Sequence, residues 1–272
     1  MSILYGFYQA DSGQIKVFDK DFRATSSRQS IEAGIGMVHQ HFMLVDNFTV
    51  LENVILGSEG GAFITKSLAN ARIELTRLAK EYGLEVELDI AVEELSVGMQ
   101  QRVEILKGLY KGAKVLILDE PTGVLTPQES DELFRIFVAL KNQGVTIILI
   151  THKLREIMNI TDHVSVMRAG KMVAHRETSK TNPEELAELM IGRKVLLNIK
   201  KSKVKSGKAL LTAKNLKIHN EQGLKRVSGV SFEARSGEIL GIAGVTGNGQ
   251  GSLLKALTGI LPWSQGSIEI MG

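Results

Sequence analysis

Cysteine is absent from the 272 residues, and no run reaches 18 consecutive apolar residues. The first absence excludes a fold held by disulfides, and the second leaves no stretch that reads as a membrane-spanning helix. The opening residues also lack the charged and apolar regions of a signal peptide. With 43% hydrophobic and 23% charged residues the chain can bury a full core, with room for about one and a half domains. No broad charge of one sign is present either: the formal net charge is +3, and the segment from Arg193 to Lys208, with one Arg, six Lys and no acid, carries a local +7. Charge gathered in one segment argues against a nucleic-acid-binding face and for a solvated linker, although the cytoplasmic surface of an anionic bilayer would attract it.

Three short segments carry the chemistry: LSVGMQQR from Leu95 to Arg102, LILDEPT from Leu116 to Thr122 and LITHK from Leu149 to Lys153. Val115 to Leu118 is an unbroken apolar run of the kind that forms a parallel strand buried on both faces. Such a strand delivers Asp119 and Glu120 at its carboxyl edge, where ligands bind in open α/β sheets. Asp119 suits Mg²⁺ held through water, and Glu120 suits the orientation or deprotonation of a water attacking a phosphate. Val145 to Ile150 fits a second strand, preceded by Gly144 and rich in β-branched residues, ending at Thr151 and His152. An imidazole there can donate to a γ-phosphate and hold the water in place. Taken singly, an acid pair after an apolar run is an ordinary strand end and one His is an ordinary surface residue. Their joint order and spacing, with 23 residues from Ser96 to Asp119 and 32 from Glu120 to His152, set the bland reading aside.

In that order and spacing the chain resembles the nucleotide-binding domains of ATP-binding-cassette (ABC) transporters. The resemblance implies an α/β P-loop fold with a parallel sheet and a helical subdomain, and ATP with Mg²⁺ as cofactors. LSVGMQQR then becomes the signature segment, with Ser96, Gly98 and Gln100 facing nucleotide held by a partner domain. Asp119 and Glu120 become the Walker B pair, His152 the switch histidine, and Gln40, in GIGMVHQHFMLVDNFTVLENV, the Q-loop glutamine near Mg²⁺ and the attacking water. Small residues and a hydroxyl at a helix start suit a phosphate on physical grounds as well. Val97 and Met99 depart from the commoner Gly and Gln, and Thr126 stands where many relatives carry Asp. These departures resemble the ATPases of importers for simple sugars and, especially, nucleosides.

A P-loop, GxxxxGK[ST], is expected upstream of Gln40, and nothing there fits. The one candidate lies at Gly244 to Ser252, after the apolar run Ile239 to Ala243, with Gly244, Gly247, Gly249, Gln250, Gly251 and Ser252 as its nucleotide-facing residues. Gln250 holds the lysine position, so the loop lacks the charge that offsets phosphates, and Gly251 replaces the usual Ser or Thr. Met1 to Phe18 aligns with Leu254 to Met271 at a constant offset of 253, without a gap, pairing Leu4 with Leu257, Gly6 with Gly259, Gly13 with Gly266 and Ile15 with Ile268. The expected organisation is therefore a first ABC domain at residues 1–192 lacking its P-loop, a linker at 193–208, and the amino-terminal part of a second domain at 209–272. The whole would be an internal fragment of a tandem two-domain ATPase, cut at both ends, and not expected to turn over ATP alone.

Residues 62–112 resemble the helical subdomain of the family, and Asn182-Pro183-Glu184-Glu185 forms a helix start that closes the first domain near Gly192. Phe42 to Leu56 would face the membrane subunits. Ile218 or His219 lies where many relatives carry an aromatic that stacks on adenine. The resemblance implies two transmembrane permease subunits, an extracytoplasmic substrate-binding lipoprotein, a second ABC domain of the same full-length chain, and a peripheral place on the cytoplasmic face of the bacterial membrane, with no nucleic acid. It also implies two unequal nucleotide sites, one hydrolytic and one impaired. Ile239 to Ala243 is expected as a strand able to insert beside Val145 to Ile150, within one chain or between chains, because a 16-residue linker reaches about 50 Å. The alternative class is a soluble ABC ATPase of translation or DNA repair; the short linker and degenerate loop disfavour it. A regulatory module that binds without hydrolysing would have no use for Glu120 and His152.

Overall fold

The apolar runs fold as parallel strands because their residues have no polar face to give to solvent. A computed structural model describes the chain except residues 41, 58–63, 195–206, 220–222, 245–246 and 272, and it divides into two units, residues 1–195 and 196–272. The basic segment at 193–208 and the loop residues Val245 and Thr246 thus lie wholly or largely outside the described residues.

In the first unit, β1 (Ile15–Val17) and β2 (Lys20–Phe22) form a hairpin, followed by α1 (Ser27–Glu32), β3 (Ile35–Val38), α2 (Val50–Ile55), α3 (Ile64–Tyr82), α4 (Val97–Tyr110), β4 (Val115–Asp119), α5 (Pro127–Asn142), β5 (Thr146–Ile150), α6 (Leu154–Ile160), β6 (His163–Arg168), β7 (Lys171–Glu177) and α7 (Pro183–Ile191). The sheet order is β3-β4-β5, parallel throughout, with Val38 level with Leu118 and Asp119 level with Ile150. Leu116, Ile117 and Leu118 of the central strand are fully buried. Leu116 and Leu118 pack with Leu106 and Leu109 of α4 and Leu133 and Phe137 of α5 in the main core. Val50, Val54, Leu75, Val92 and Val103 form a second core among α2, α3 and α4, which is the helical subdomain.

Local chemistry sets the helix ends. Thr126 caps α5 in a reciprocal box, its hydroxyl accepting from the Glu129 amide at 3.3 Å while Glu129 accepts from the Thr126 amide at 2.8 Å, and Pro127 opens the first turn. Asn182 caps α7 one way, its Oδ1 accepting from the Glu185 amide at 2.8 Å, and Gly192 ends that helix in the left-handed region.

In the second unit β8 (Ala209–His219), β9 (Lys225–Arg235) and β10 (Gln265–Ile270) form an antiparallel sheet ordered β10-β8-β9, with α8 (Gln250–Leu257) packed through Leu253 and Ala256 on Ala213, Leu216 and Ile218. The strand expected at Ile239 to Ala243 does not form: the segment pairs with no described residue of its unit, and Ile239 is fully exposed. A parallel strand needs a parallel neighbour to complete its ladder, and the described strands of this unit pair antiparallel. The expected insertion beside β5 is likewise not seen, since β5 pairs only with β4 among the described residues.

The repeat at offset 253 extends to backbone angles. Gly6 and Gly259 have φ of 84° and 76°, Gly13 and Gly266 have 101° and 99°, and Phe18 and Met271, neither a glycine, have 48° and 58°. Ile15 lies in β1 and its counterpart Ile268 in β10.

Candidate functional site

The register of the parallel sheet gathers the candidate residues at one edge. With Val38 level with Leu118, and Asp119 with Ile150, Gln40 leaves β3 beside the end of β4, where Asp119 and Glu120 emerge, and Thr151 and His152 leave β5 on the other side. Gln40 is exposed, Asp119 half-buried. Glu120 adopts φ 47°, a left-handed conformation that costs a non-glycine residue about 1–3 kcal/mol. Its amide donates to Ile150 O at 2.9 Å, and its carbonyl accepts from the Gly123 amide at 3.1 Å, so the turn is held on both sides. The strained turn aims the carboxylate at the neighbouring strand, where Oε1 lies 2.9 Å from His152 Nδ1. The rest of the imidazole is largely open, its side chain being 66% exposed.

A buried network sits behind this pair. Thr122 Oγ1 donates to Glu156 Oε1, Thr151 Oγ1 donates to Glu156 Oε2 at 2.9 Å, and Lys153 Nζ reaches Thr122 O at 2.8 Å and Thr122 Oγ1 at 3.0 Å. Thr122 and Glu156 are almost wholly buried. The motif search passes over Glu156 because an acid in the first turn of a helix is ordinary; its one signal is its place four residues after His152.

The signature segment starts α4. Ser96 is its N-cap, its Oγ accepting from the Met99 amide at 3.4 Å, and it is exposed. A side chain at Gly98 would lie 3.3 Å from Glu129 of α5, so the segment has little room for anything larger. Gln100 turns inward, its Nε2 donating to Val92 O at 3.1 Å and Leu95 O at 3.3 Å. Its amide nitrogen thus shapes the loop before the helix. Gln101, on the same turn, is buried, and neither of its side-chain polar atoms has a hydrogen-bond partner among the described residues.

A groove on the first unit is lined by Tyr5, Phe7, His39, Met43, Glu104 and Lys107, among others. Glu104 accepts from the Met43 amide at 2.9 Å and Lys107 Nζ donates to Met43 O at 2.8 Å, so α4 grips both sides of one residue in the loop after Gln40. Burial, with the nearby Glu104 charge, pushes the Tyr5 hydroxyl above its ordinary value. The surface expected at Phe42 to Leu56 is narrower than the sequence suggests: Met43 and Leu56 are exposed, but Val50, Leu51, Val54 and Ile55 are buried in the helical subdomain.

In the second unit the glycine-rich loop leads into α8, whose N-cap is Gly249 at φ 96°, with Gly247 at 92°. A side chain at Gly249 would lie 2.3 Å from Arg226 O, and one at Gly244 would overlap Gln250 Nε2, so the loop folds closely on itself and Gln250 lies against Gly244. Gly251 has open space around it and Ser252 is half-buried in the first turn. No lysine occupies this loop.

A parallel sheet that gathers an Asp-Glu pair, a glutamine and a histidine at its carboxyl edge, with a separate helical layer beside it, is the α/β fold of an ABC-type nucleotide-binding domain. The chain belongs to the ABC transporter family, whose match covers residues 1–123 and 227–272. It is 46% identical over 270 residues to the nucleoside import ATP-binding protein NupA of Lactococcus lactis subsp. cremoris, spanning 99% of this chain and 53% of that protein. It is 44% identical over 272 residues to the guanosine import ATP-binding protein NupO of Bacillus subtilis, spanning 100% of this chain and 53% of that protein. The chain thus spans about half the length of the curated relatives it matches. A solved nucleotide-free ATP-binding cassette from an ABC transporter superposes with a TM-score of 0.61 at 25% identity, covering 71% of this chain and 82% of that one.

Proposed function

We propose that the chain is part of the ATP-binding and hydrolysing subunit of a binding-protein-dependent importer of nucleosides or simple sugars. The observation that carries this reading is the 2.9 Å contact between Glu120 and His152 at the sheet edge, beside Asp119 and Gln40. The names of the relatives support the cargo class, NupA and NupO being ATP-binding proteins of nucleoside and guanosine import.

The residues at the edge fit a nucleotide with Mg²⁺. Asp119 offers one carboxylate and Gln40 one amide oxygen, both hard donors, and no group of three or more acid, His or Cys side chains able to hold a metal occurs among the described residues. That set suits an ion arriving with its phosphates, since Mg²⁺ takes one or two protein ligands and completes its shell with water and substrate. When bound, Mg²⁺ neutralises charge on the phosphates. Glu120 orients the attacking water and accepts its proton. With its own proton on Nδ1, His152 donates to Glu120 and presents Nε2 to the substrate side; with both nitrogens protonated it donates to a phosphate oxygen as well. The loop at Gly244 to Ser252 does not fit a fully charged triphosphate, because Gln250 supplies no cation.

In this reading Gln40, Asp119, Glu120 and His152 serve a hydrolytic site, and Ser96 and Gly98 face nucleotide held by a partner ABC domain; Gln100, expected beside them, instead turns inward onto Val92 O and Leu95 O. The groove at Met43, backed by Glu104 and Lys107, receives one of two transmembrane permease subunits, and an extracytoplasmic lipoprotein delivers cargo from the other side of the membrane. The protein is peripheral on the cytoplasmic face. The test is ATP turnover by the full-length protein reconstituted with its permease in proteoliposomes. Stimulation by a nucleoside-loaded binding protein, and not by amino acids or peptides, is the expected result; turnover indifferent to every nucleoside and simple sugar overturns the cargo class.

A further inference from the structure

We propose that Glu156 is a positioning residue that fixes the distance between Glu120 and His152, so that the imidazole meets the carboxylate before any nucleotide arrives. The inference rests on the hydrolytic reading of that pair and adds to it the means by which the pair is held. The last sheet bond at this edge is the Glu120 amide to Ile150 O at 2.9 Å. Beyond it the two strands separate into turns, and the ladder no longer sets the spacing. Glu156 takes over at that point. One of its carboxyl oxygens accepts from Thr122, two residues past Glu120, and the other accepts from Thr151 at 2.9 Å, one residue before His152. A single rigid group therefore bridges the two turns.

Lys153 closes the arrangement. Its ammonium lies 3.4 Å from Glu156, reaches the Thr122 carbonyl at 2.8 Å, and its amide donates to Thr151 Oγ1 at 3.0 Å. Burying a carboxyl group is costly unless each oxygen is bonded, and here each oxygen is bonded to a different turn. An apolar side chain at this position would fill the space equally well and would join nothing. Backbone bonds hold the Glu120 turn, but they do not reach the imidazole, since His152 is largely exposed.

The experiment is nuclear magnetic resonance of the ring nitrogens of His152 in the full chain without nucleotide, assigned by His152→Gln among the six histidines. Glu120→Gln is expected to shift the Nδ1 resonance. In a Glu156→Ala background that response falls by about threefold or more, because the two turns no longer keep their spacing, whereas Glu156→Gln, which retains an oxygen acceptor and gains a donor, keeps most of it. Thr151→Val, which removes one arm of the bridge at nearly constant volume, gives an intermediate loss and carries the test if Glu156→Ala does not fold. An undiminished response in folded Glu156→Ala, or in Thr151→Val and Thr122→Val together, overturns the proposal. Because no nucleotide is present, that outcome leaves the hydrolytic reading standing; failure of the full-length protein to turn over ATP would reject the hydrolytic reading and leave the bridge intact.

Discussion

The sheet edge of residues 1–195 and the glycine loop of residues 244–252 solve different halves of one chemical problem. At the edge, charged and titratable side chains stand at the ends of a buried parallel sheet, and each is placed by strand register and by hydrogen bonds to its neighbours. In the loop, backbone shape dominates: Gly247 and Gly249 adopt angles that other residues avoid, and a side chain at Gly249 would strike Arg226 O. In the proposed reading the first arrangement activates water, and the second is a phosphate cradle whose lysine position holds Gln250. Reacting groups need stiff supports, whereas a phosphate cradle needs close backbone approach, so the two demands select different residue types.

The comparison breaks most sharply if the edge is dispensable. Glu120→Gln is expected to lower ATP turnover of the full-length protein by about 10²–10⁴-fold, measured in proteoliposomes with its permease, while nucleotide binding persists. Core variants probe whether the two regions stand on separate supports. Leu116→Ala, at a fully buried position of the parallel sheet, should destabilise the first unit by about 2–5 kcal/mol in calorimetry and leave the second transition in place, with Leu216→Ala doing the reverse. Giving the loop its charge tests the other half. Gln250→Lys, alone or with Gly251→Thr, for which there is open space, should raise affinity for ATP about tenfold in a fluorescent-nucleotide titration. Unchanged affinity would mean that the loop is not a degenerate cradle.

The smallest effect concerns a helix start next to the signature segment. Thr126→Ala removes the hydroxyl of the capping box and should cost about 1 kcal/mol in urea unfolding. The bonds from the Thr126 amide and hydroxyl hold the Glu129 carboxyl below its ordinary value. A lowered folded value means that this stabilisation is complete above the ordinary carboxylate range and is lost as pH falls through the lowered one. The penalty of Thr126→Ala should therefore shrink at acid pH.

Much of the first unit is legible in the sequence because its signals are local or periodic. The apolar run at Val115 to Leu118, the helical spacing of Leu68 to Tyr82 and the Asn182-Pro183 start each state their own structure, and each forms as expected. The acids and the histidine are legible through their spacing, since strand ends collect at one edge. Glu156 is not, because its meaning depends on two threonines, one of them 34 residues away, that only the folded sheet brings together. Ile239 to Ala243 misleads for the opposite reason. Its composition is that of a buried strand, but a strand is a property of neighbours, and no parallel one is available among the described residues of its unit.

The matched backbone angles at offset 253 have a further consequence. Gly6 and Gly266 are crowded, with an added side chain meeting Ser26 O at 2.5 Å or Lys214 O at 2.3 Å, whereas their counterparts Gly259 and Gly13 have open space. The surroundings thus differ at both equivalent glycine pairs while the sign and size of φ are shared. At these positions the local sequence carries the bend by itself, whatever comes to pack against it.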